Sequence, residues 1–168
     1  MRARTKTAEE TEELGARLAR ARPASQAALA VVYLSGELGS GKTTFVRGFA
    51  RAAGVSGPVR SPTYKLLELY PAAAGTLVHI DLYRVHSPAE LDSIGLREWA
   101  VPEHLWLIEW PEHGAGRLPP ADLHLRFSVG GESWHDVEVT SGSALGAAWL
   151  VELDRAAALA VESHGRTP

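Results

Sequence analysis

The sequence predicts an α/β fold, a mixed β-sheet with helices on both faces. Three observations carry that expectation. Residues 36–43 read Gly-Glu-Leu-Gly-Ser-Gly-Lys-Thr and satisfy every fixed position of the phosphate-binding pattern G-x-x-x-x-G-K-[ST]. An apolar run, Leu29 to Leu34, leads into that segment, and a helical stretch, Thr44 to Ala53, leads out of it and stops at Gly54. Two further apolar runs, Leu77 to Ile80 and Leu105 to Ile108, each end in an acid, Asp81 and Glu109. Strand, glycine loop, helix and carboxylate-tipped strands together predict a P-loop NTPase-like sheet. The 168 residues are read as one domain, a length that supports a single sizeable core.

The remaining elements follow in chain order. Thr7-Ala8-Glu9-Glu10 has the form of a capping box and opens a first helix, with Leu14 and Leu18 on its apolar face and its end near Arg22-Pro23. After the glycine loop and its helix, Gly54 to Pro62 reads as a loop broken by Gly57-Pro58 and Ser61-Pro62. Lys65 to Tyr70 is a strand, Ala72 to Gly75 a turn, and the Leu77 run its antiparallel partner. Ser87-Pro88-Ala89-Glu90 starts a short helix that breaks at Gly95, with Leu96 to Ala100 as a continuation. Leu123, Leu125 and Phe127 alternate with His124 and Arg126, the period of a half-exposed strand. Gly130-Gly131 turns into a strand ending in Val137-Glu138-Val139, and an Ala-rich helix covers about Ala144 to Ala160. The tail after Ser163 is expected to fray.

The glycine loop has a physical reading. Glycines let successive backbone N–H groups turn inward around phosphate oxygens, and the helix that follows adds its positive dipole end. Lys42 is placed to reach the β- and γ-phosphates, and the Thr43 hydroxyl to bind Mg²⁺. That chemistry needs a carboxylate at the end of a neighbouring strand, and Asp81 and Glu109 are both candidates at the carboxyl edge of the sheet. In the loop Ser61-Pro62-Thr63-Tyr64, Thr63 stands either where triphosphate switches sense the γ-phosphate or as a plain capping hydroxyl. Trp110 follows Glu109 and is expected on the opposite face, at the rim of the site or toward a partner. His79, His86, His104, His113 and His124 lack metal-ligand spacing and read as structural rather than as a zinc site. Arg84, Arg97 and Arg117 are available to supply positive charge, but no motif singles one out.

Composition bounds the function. The net charge is −3, so no global basic field recruits nucleic acid, and RNA contact is expected only locally or through a partner. There is no cysteine, which excludes disulfides, thiol nucleophiles and cysteine-ligated metals and fits a reducing compartment. No apolar run approaches membrane-spanning length, so a cytoplasmic location without membrane contact is expected.

Four segments taken together resemble the TsaE (YjeE) family of small bacterial ATPases required for threonylcarbamoyladenosine modification of tRNA. They are residues 36–44, Ser61-Pro62-Thr63-Tyr64, Asp81-Leu82-Tyr83-Arg84 and Glu109-Trp110-Pro111, in the family's order and spacing, and the match spans about residues 7–139. The resemblance implies ATP held by Gly36, Glu37, Leu38, Gly39, Ser40, Gly41, Lys42, Thr43 and Thr44, with Thr11 near the adenine. It implies Thr43 and Glu109 as Mg²⁺ ligands, Asp81 as a carboxylate near the metal or the attacking water, Thr63 in a switch-like loop and Trp110 as a functional aromatic. It also implies TsaD-like and TsaB-like protein partners, indirect involvement of tRNA, and hydrolysis that supports turnover of that complex. Because the chain lacks an obvious built-in arginine finger, slow hydrolysis alone, stimulated by a partner, is expected. Two features depart from the family pattern: the turn Gly130-Gly131-Glu132-Ser133-Trp134 lacks a basic residue, and residues 140–168 extend beyond the match. A small-molecule or nucleotide P-loop kinase is the alternative reading, though the segment after Glu109 has no arginine-rich lid, with only Arg117 and Arg126 before residue 139. A nucleotide-sensing module with negligible turnover is a third.

Overall fold

In the computed structural model, which describes residues 1–23, 29–131 and 134–164, seven strands form one sheet. The elements are β1 (Arg2–Thr5), α1 (Ala8–Arg20), β2 (Ala30–Ser35), α2 (Lys42–Ala52), β3 (Leu67–Ala72), β4 (Gly75–Asp81), β5 (Leu105–Glu109), β6 (Leu123–Gly131), β7 (Trp134–Ser141) and α3 (Ala144–His164). The spatial order is β1-β7-β6-β2-β5-β4-β3. The four inner strands β6, β2, β5 and β4 are mutually parallel, and β3, β7 and β1 pair antiparallel at the flanks. Parallel strands buried on both faces read as continuous apolar runs, which is why β2 and β5 were legible in the sequence.

Alternation along those strands divides the core in two. Val32, Leu34, Leu105, Leu107, Leu123 and Leu125 face the three α-helices, meeting Leu14 and Leu18 of α1, Phe45 and Phe49 of α2, and Trp149 and Leu153 of α3. Val31, Val78, Ile80, Trp106 and Ile108 face the other way and are covered by Leu82, Val85, Leu91 and Leu96. Helical structure covers both faces, but unequally: the second cover is built from the short 3-10 segments Pro88–Ser93, Leu96–Trp99 and Pro111–Gly114. The expected helix at Ser87 is thus a 3-10 helix, with its capping box in place: Ser87 N–H donates to Glu90 Oε1 at 2.8 Å.

Helices α1 and α2 lie in backbone contact. A Cβ on Gly48 would stand 1.8 Å from the carbonyl oxygen of Glu12. At the start of α1, Thr7 Oγ1 accepts from Glu10 N–H as expected, whereas the Glu10 carboxylate reaches one residue further back and accepts from Lys6 N–H at 2.6 Å. The α3 segment is joined to the same core: Trp149 is fully buried and its Nε1–H donates to Leu18 O at 2.8 Å.

Strand β1 was not expected. Its four residues pair with β7 in the register Arg2↔Glu138 and Arg4↔Asp136, and those two pairs form exposed ion pairs on one face. The partner lies more than a hundred residues away, so no local pattern announces the strand. Gly130 and Gly131, expected to form a turn, are instead the last residues of β6; Glu132 and Ser133, and the tail 165–168, lie outside the described residues. Among the described residues, no helix is long and apolar enough to cross a membrane.

Candidate nucleotide site

The glycine loop leaves the carboxyl end of β2, and the neighbouring parallel strands β5 and β4 bring their own carboxyl ends to the same edge. Asp81 and Glu109 are register partners, so both acids occupy one sheet face on adjacent strands, about 5 Å apart along the hydrogen-bonding direction. This is the edge at which open α/β sheets bind ligands. Residues 38–44 of the glycine loop and the start of α2 line a cavity of about 230 Å³ together with Ser61, Thr63, Asp81, Tyr83, Glu109 and Trp110.

Gly36 begins the loop with φ 137°, and a Cβ there would meet the Phe127 carbonyl oxygen at 2.3 Å, so glycine is required. Glu37, Leu38 and Gly39 form the exposed tip, with Leu38 71% exposed, while Ser40 is buried beneath it. Helix α2 starts after Gly41, and no side chain caps it. Its first N–H groups therefore keep their capacity to bind an anion. Thr44 lies in the first turn of α2, at the wall of the cavity.

Lys42 is buried and folds back onto its own loop. Its ammonium donates to Gly36 O at 2.7 Å and Glu37 O at 2.8 Å, and lies 3.4 Å from Ser40 Oγ. Burial pushes this ammonium below the ordinary lysine value, and Glu109, then Asp81 and Glu112, pull it back up. The indole of Trp110 lies against the same charge, 4.1 Å from Nζ to the ring centroid. Simple strand alternation placed Trp110 on the far face. The strand has ended there, however, and φ 59° at Trp110 turns the side chain back over Lys42. Tyr83 supports the indole with ring centroids 5.1 Å apart.

The Thr43 hydroxyl lies 2.9 Å and 3.0 Å from the two carboxylate oxygens of Glu109. Glu109 is buried and receives a second partner, His79, whose Nε2 is 2.9 Å from Oε1. Asp81 is buried beside it and organises the following loop. Its Oδ2 accepts from Ser61 Oγ and, at 2.8 Å, from Thr63 Oγ1, while its Oδ1 accepts from Tyr83 N–H at 2.9 Å. Thr63 is therefore held at the site by Asp81.

Thr11 lies beside the start of α2 without reaching the cavity. Its hydroxyl donates to Thr5 Oγ1 at 2.9 Å and is 3.1 Å from Thr7 O, leaving its methyl group toward Gly41. Two of the three arginines named from the sequence have contacts of their own: Arg84 stacks over Tyr64, and Arg117 pairs with Asp92 at 3.3 Å. His79, read as a structural histidine rather than a zinc ligand, is buried and bonded to Glu109. Its only sequence signal was parity, since it lies two residues before Asp81 on the same strand face.

Fold and site together define an α/β protein with a P-loop-like architecture. A family model described as "Threonylcarbamoyl adenosine biosynthesis protein TsaE" matches residues 5–136, and the chain belongs to that family. It is 47% identical over 93 residues to the tRNA threonylcarbamoyladenosine biosynthesis protein TsaE of Haemophilus influenzae, covering 55% of this chain and 59% of that protein. The protein of the same name from Streptomyces coelicolor is 34% identical over 141 residues, covering 82% and 92% of the two chains. The crystal structure of Bacillus subtilis YdiB superposes with a TM-score of 0.75 at 28% identity, covering 92% of this chain and 94% of that one.

Proposed function

We propose that this protein is a Mg²⁺-dependent ATPase acting as a subunit of a cytoplasmic assembly that makes threonylcarbamoyladenosine on tRNA. One observation carries the chemical part: Thr43, at the start of α2, is bonded to the buried carboxylate of Glu109 beside the Lys42 ammonium. Phosphate-loop enzymes hold Mg²⁺ with a loop Ser/Thr and a strand-end acid, and these two side chains are already joined here.

The donor chemistry suits the metal. Thr43, Glu109 and Asp81 offer only hard oxygen atoms, which favour Mg²⁺ over thiophilic or imidazole-preferring metals. Among the described residues, no cluster of three or more His, Cys, Asp or Glu side chains forms a metal cage. An Mg²⁺–nucleotide site does not call for one, because phosphates and water complete its shell. When bound, Mg²⁺ would neutralise charge on the β- and γ-phosphates.

The protein groups act as follows. The first N–H groups of α2 and the glycine loop receive phosphate oxygens. Lys42 leaves the carbonyls of Gly36 and Glu37 for the β- and γ-phosphates, a stronger, charge-assisted partner. Thr43 and Glu109 would hold the metal, with Asp81 beside them, directly or through water. Thr63 exchanges its bond to Asp81 for the γ-phosphate end and so reports whether that phosphate is present. TsaD-like and TsaB-like proteins are the proposed partners. The net charge of −3 supports an indirect role for tRNA, reached through the complex.

Isothermal titration of ATP with Mg²⁺, followed by measurement of free phosphate, tests the chemical part. Binding together with slow phosphate release is expected. Binding without any release, alone or with partners, would overturn the ATPase assignment.

A further inference from the structure

His79 has no part in the chemistry assigned so far, and it is fully buried on β4. Its Nε2 lies 2.9 Å from Oε1 of Glu109. An ionised carboxylate can only accept hydrogen bonds, so the proton of this pair resides on Nε2. The other ring nitrogen, Nδ1, is buried without a hydrogen-bond partner among the described residues. Buried polar atoms are nearly always paired, so an imidazole anchored on one side alone calls for a reason.

The sheet register supplies one. Asp81 pairs with Glu109, and His79 pairs with Leu107, one step back on the same face. The ring thus sits behind the Glu109 carboxylate, on the side away from the strand ends. Oε1 is shared between His79 and Thr43, whereas Oε2, among the described residues, meets Thr43 alone. A glutamate has several rotatable bonds, and fixing one oxygen fixes where the other points.

We propose that His79 is a positioning residue for Glu109: its Nε2–H anchors Oε1 and leaves Oε2 as the oxygen presented to Mg²⁺, directly or through water. This inference rests on the Mg²⁺–ATP reading of the site. Hydrogen bonds behind a metal ligand typically change metal affinity by about 10- to 100-fold when removed.

Three variants of the full chain test it: His79→Gln, His79→Asn and His79→Leu. Glutamine carries an amide N–H to the position of Nε2, asparagine reaches only the position of Nδ1, and leucine has no donor. Calorimetry measures the affinity for a non-hydrolysable ATP analogue in EDTA and at stepped Mg²⁺ concentrations, and the readout is the factor by which Mg²⁺ tightens binding. His79→Asn and His79→Leu should lose about 10- to 100-fold of that factor, with metal-free affinity unchanged, and His79→Gln should keep most of it. If His79→Leu does not fold, the Gln and Asn pair decides the question alone. A Mg²⁺ effect retained in His79→Asn, or lost equally in His79→Gln, would overturn the positioning role while leaving the Mg²⁺–ATP reading intact. Absence of any Mg²⁺ effect in the wild type would overturn both.

Discussion

The hydroxyl of Thr43 and the carboxylate of Glu109 are hydrogen-bonded across 66 residues of sequence, at 2.9 and 3.0 Å. This bond ties the first turn of α2 to the end of β5, so the glycine loop and the strand-end acid are set relative to one another before any ligand arrives. Pre-set groups need little reorganisation when charge develops.

Glu109→Ala should separate binding from turnover. Lys42 and the loop N–H groups remain, so affinity for ATP in EDTA should persist while the Mg²⁺-dependent tightening is lost, and phosphate release should fall about 100-fold or more, the scale of a lost electrostatic contribution. Parallel calorimetry and phosphate assays check this. An equal loss of the metal-free affinity would assign Glu109 to nucleotide binding itself.

Lys42→Ala should lose nucleotide itself. Removing a charge-assisted contact to two phosphates is expected to weaken ATP by about 100-fold or more, on the order of 3 kcal/mol. Wild-type affinity in this variant, measured by titration with Mg²⁺ present, would contradict the placement of the phosphates.

Thr63→Val keeps the shape of the side chain and removes the hydroxyl that Asp81 holds. ATP affinity should be nearly unchanged and hydrolysis should fall about tenfold, if the hydroxyl acts only at the γ-phosphate end. The comparison is between the affinities for ATP and ADP and the turnover rate. An affinity loss shared by both nucleotides would make Thr63 a general binding residue.

Gly48→Ala tests the packing of α1 on α2. The added methyl group would stand 1.8 Å from Glu12 O, which belongs to backbone and cannot swing aside. A destabilisation of about 3 kcal/mol, or a Tm lower by roughly 10 °C, is expected. Thermal melts measure it, and an unchanged Tm would show that the two helices separate readily.

Tyr33→Phe gives a pH-dependent signature. The Tyr33 hydroxyl donates to Pro119 O at 2.7 Å, and burial raises its pKa above the ordinary 10.0. The folded state therefore retains the proton longer than the unfolded chain. The stabilisation is complete below pH 10 and declines as pH rises from there through the folded value. Wild type should exceed the variant by about 1 kcal/mol at neutral pH, and the gap should narrow above pH 10. Urea melts across that range check the sign.

Much of this organisation could be read from the chain, for identifiable reasons. The glycine loop is local, and its glycines, lysine and threonine are needed at fixed spacing. Asp81 and Glu109 were visible because a buried parallel strand is an apolar run whose end is marked by the first acid. Strand β1 was hidden because Arg2–Thr5 is short and its pairing with β7 is supplied by the other end of the chain. His79 was hidden because its partner lies 30 residues away and only register brings them together. Trp110 was assigned the wrong face because alternation was carried one residue past the end of β5, into a left-handed turn. Local patterns predicted the elements other than β1; the contacts between distant strand ends had to come from the fold.

The measurement that bears most directly on the proposed function is the rate of phosphate release from Mg²⁺–ATP, with and without TsaD-like and TsaB-like proteins. A slow rate is expected for the chain alone and a clear acceleration when both partners are added, lost in Glu109→Ala. An unchanged rate on adding the partners would contradict it.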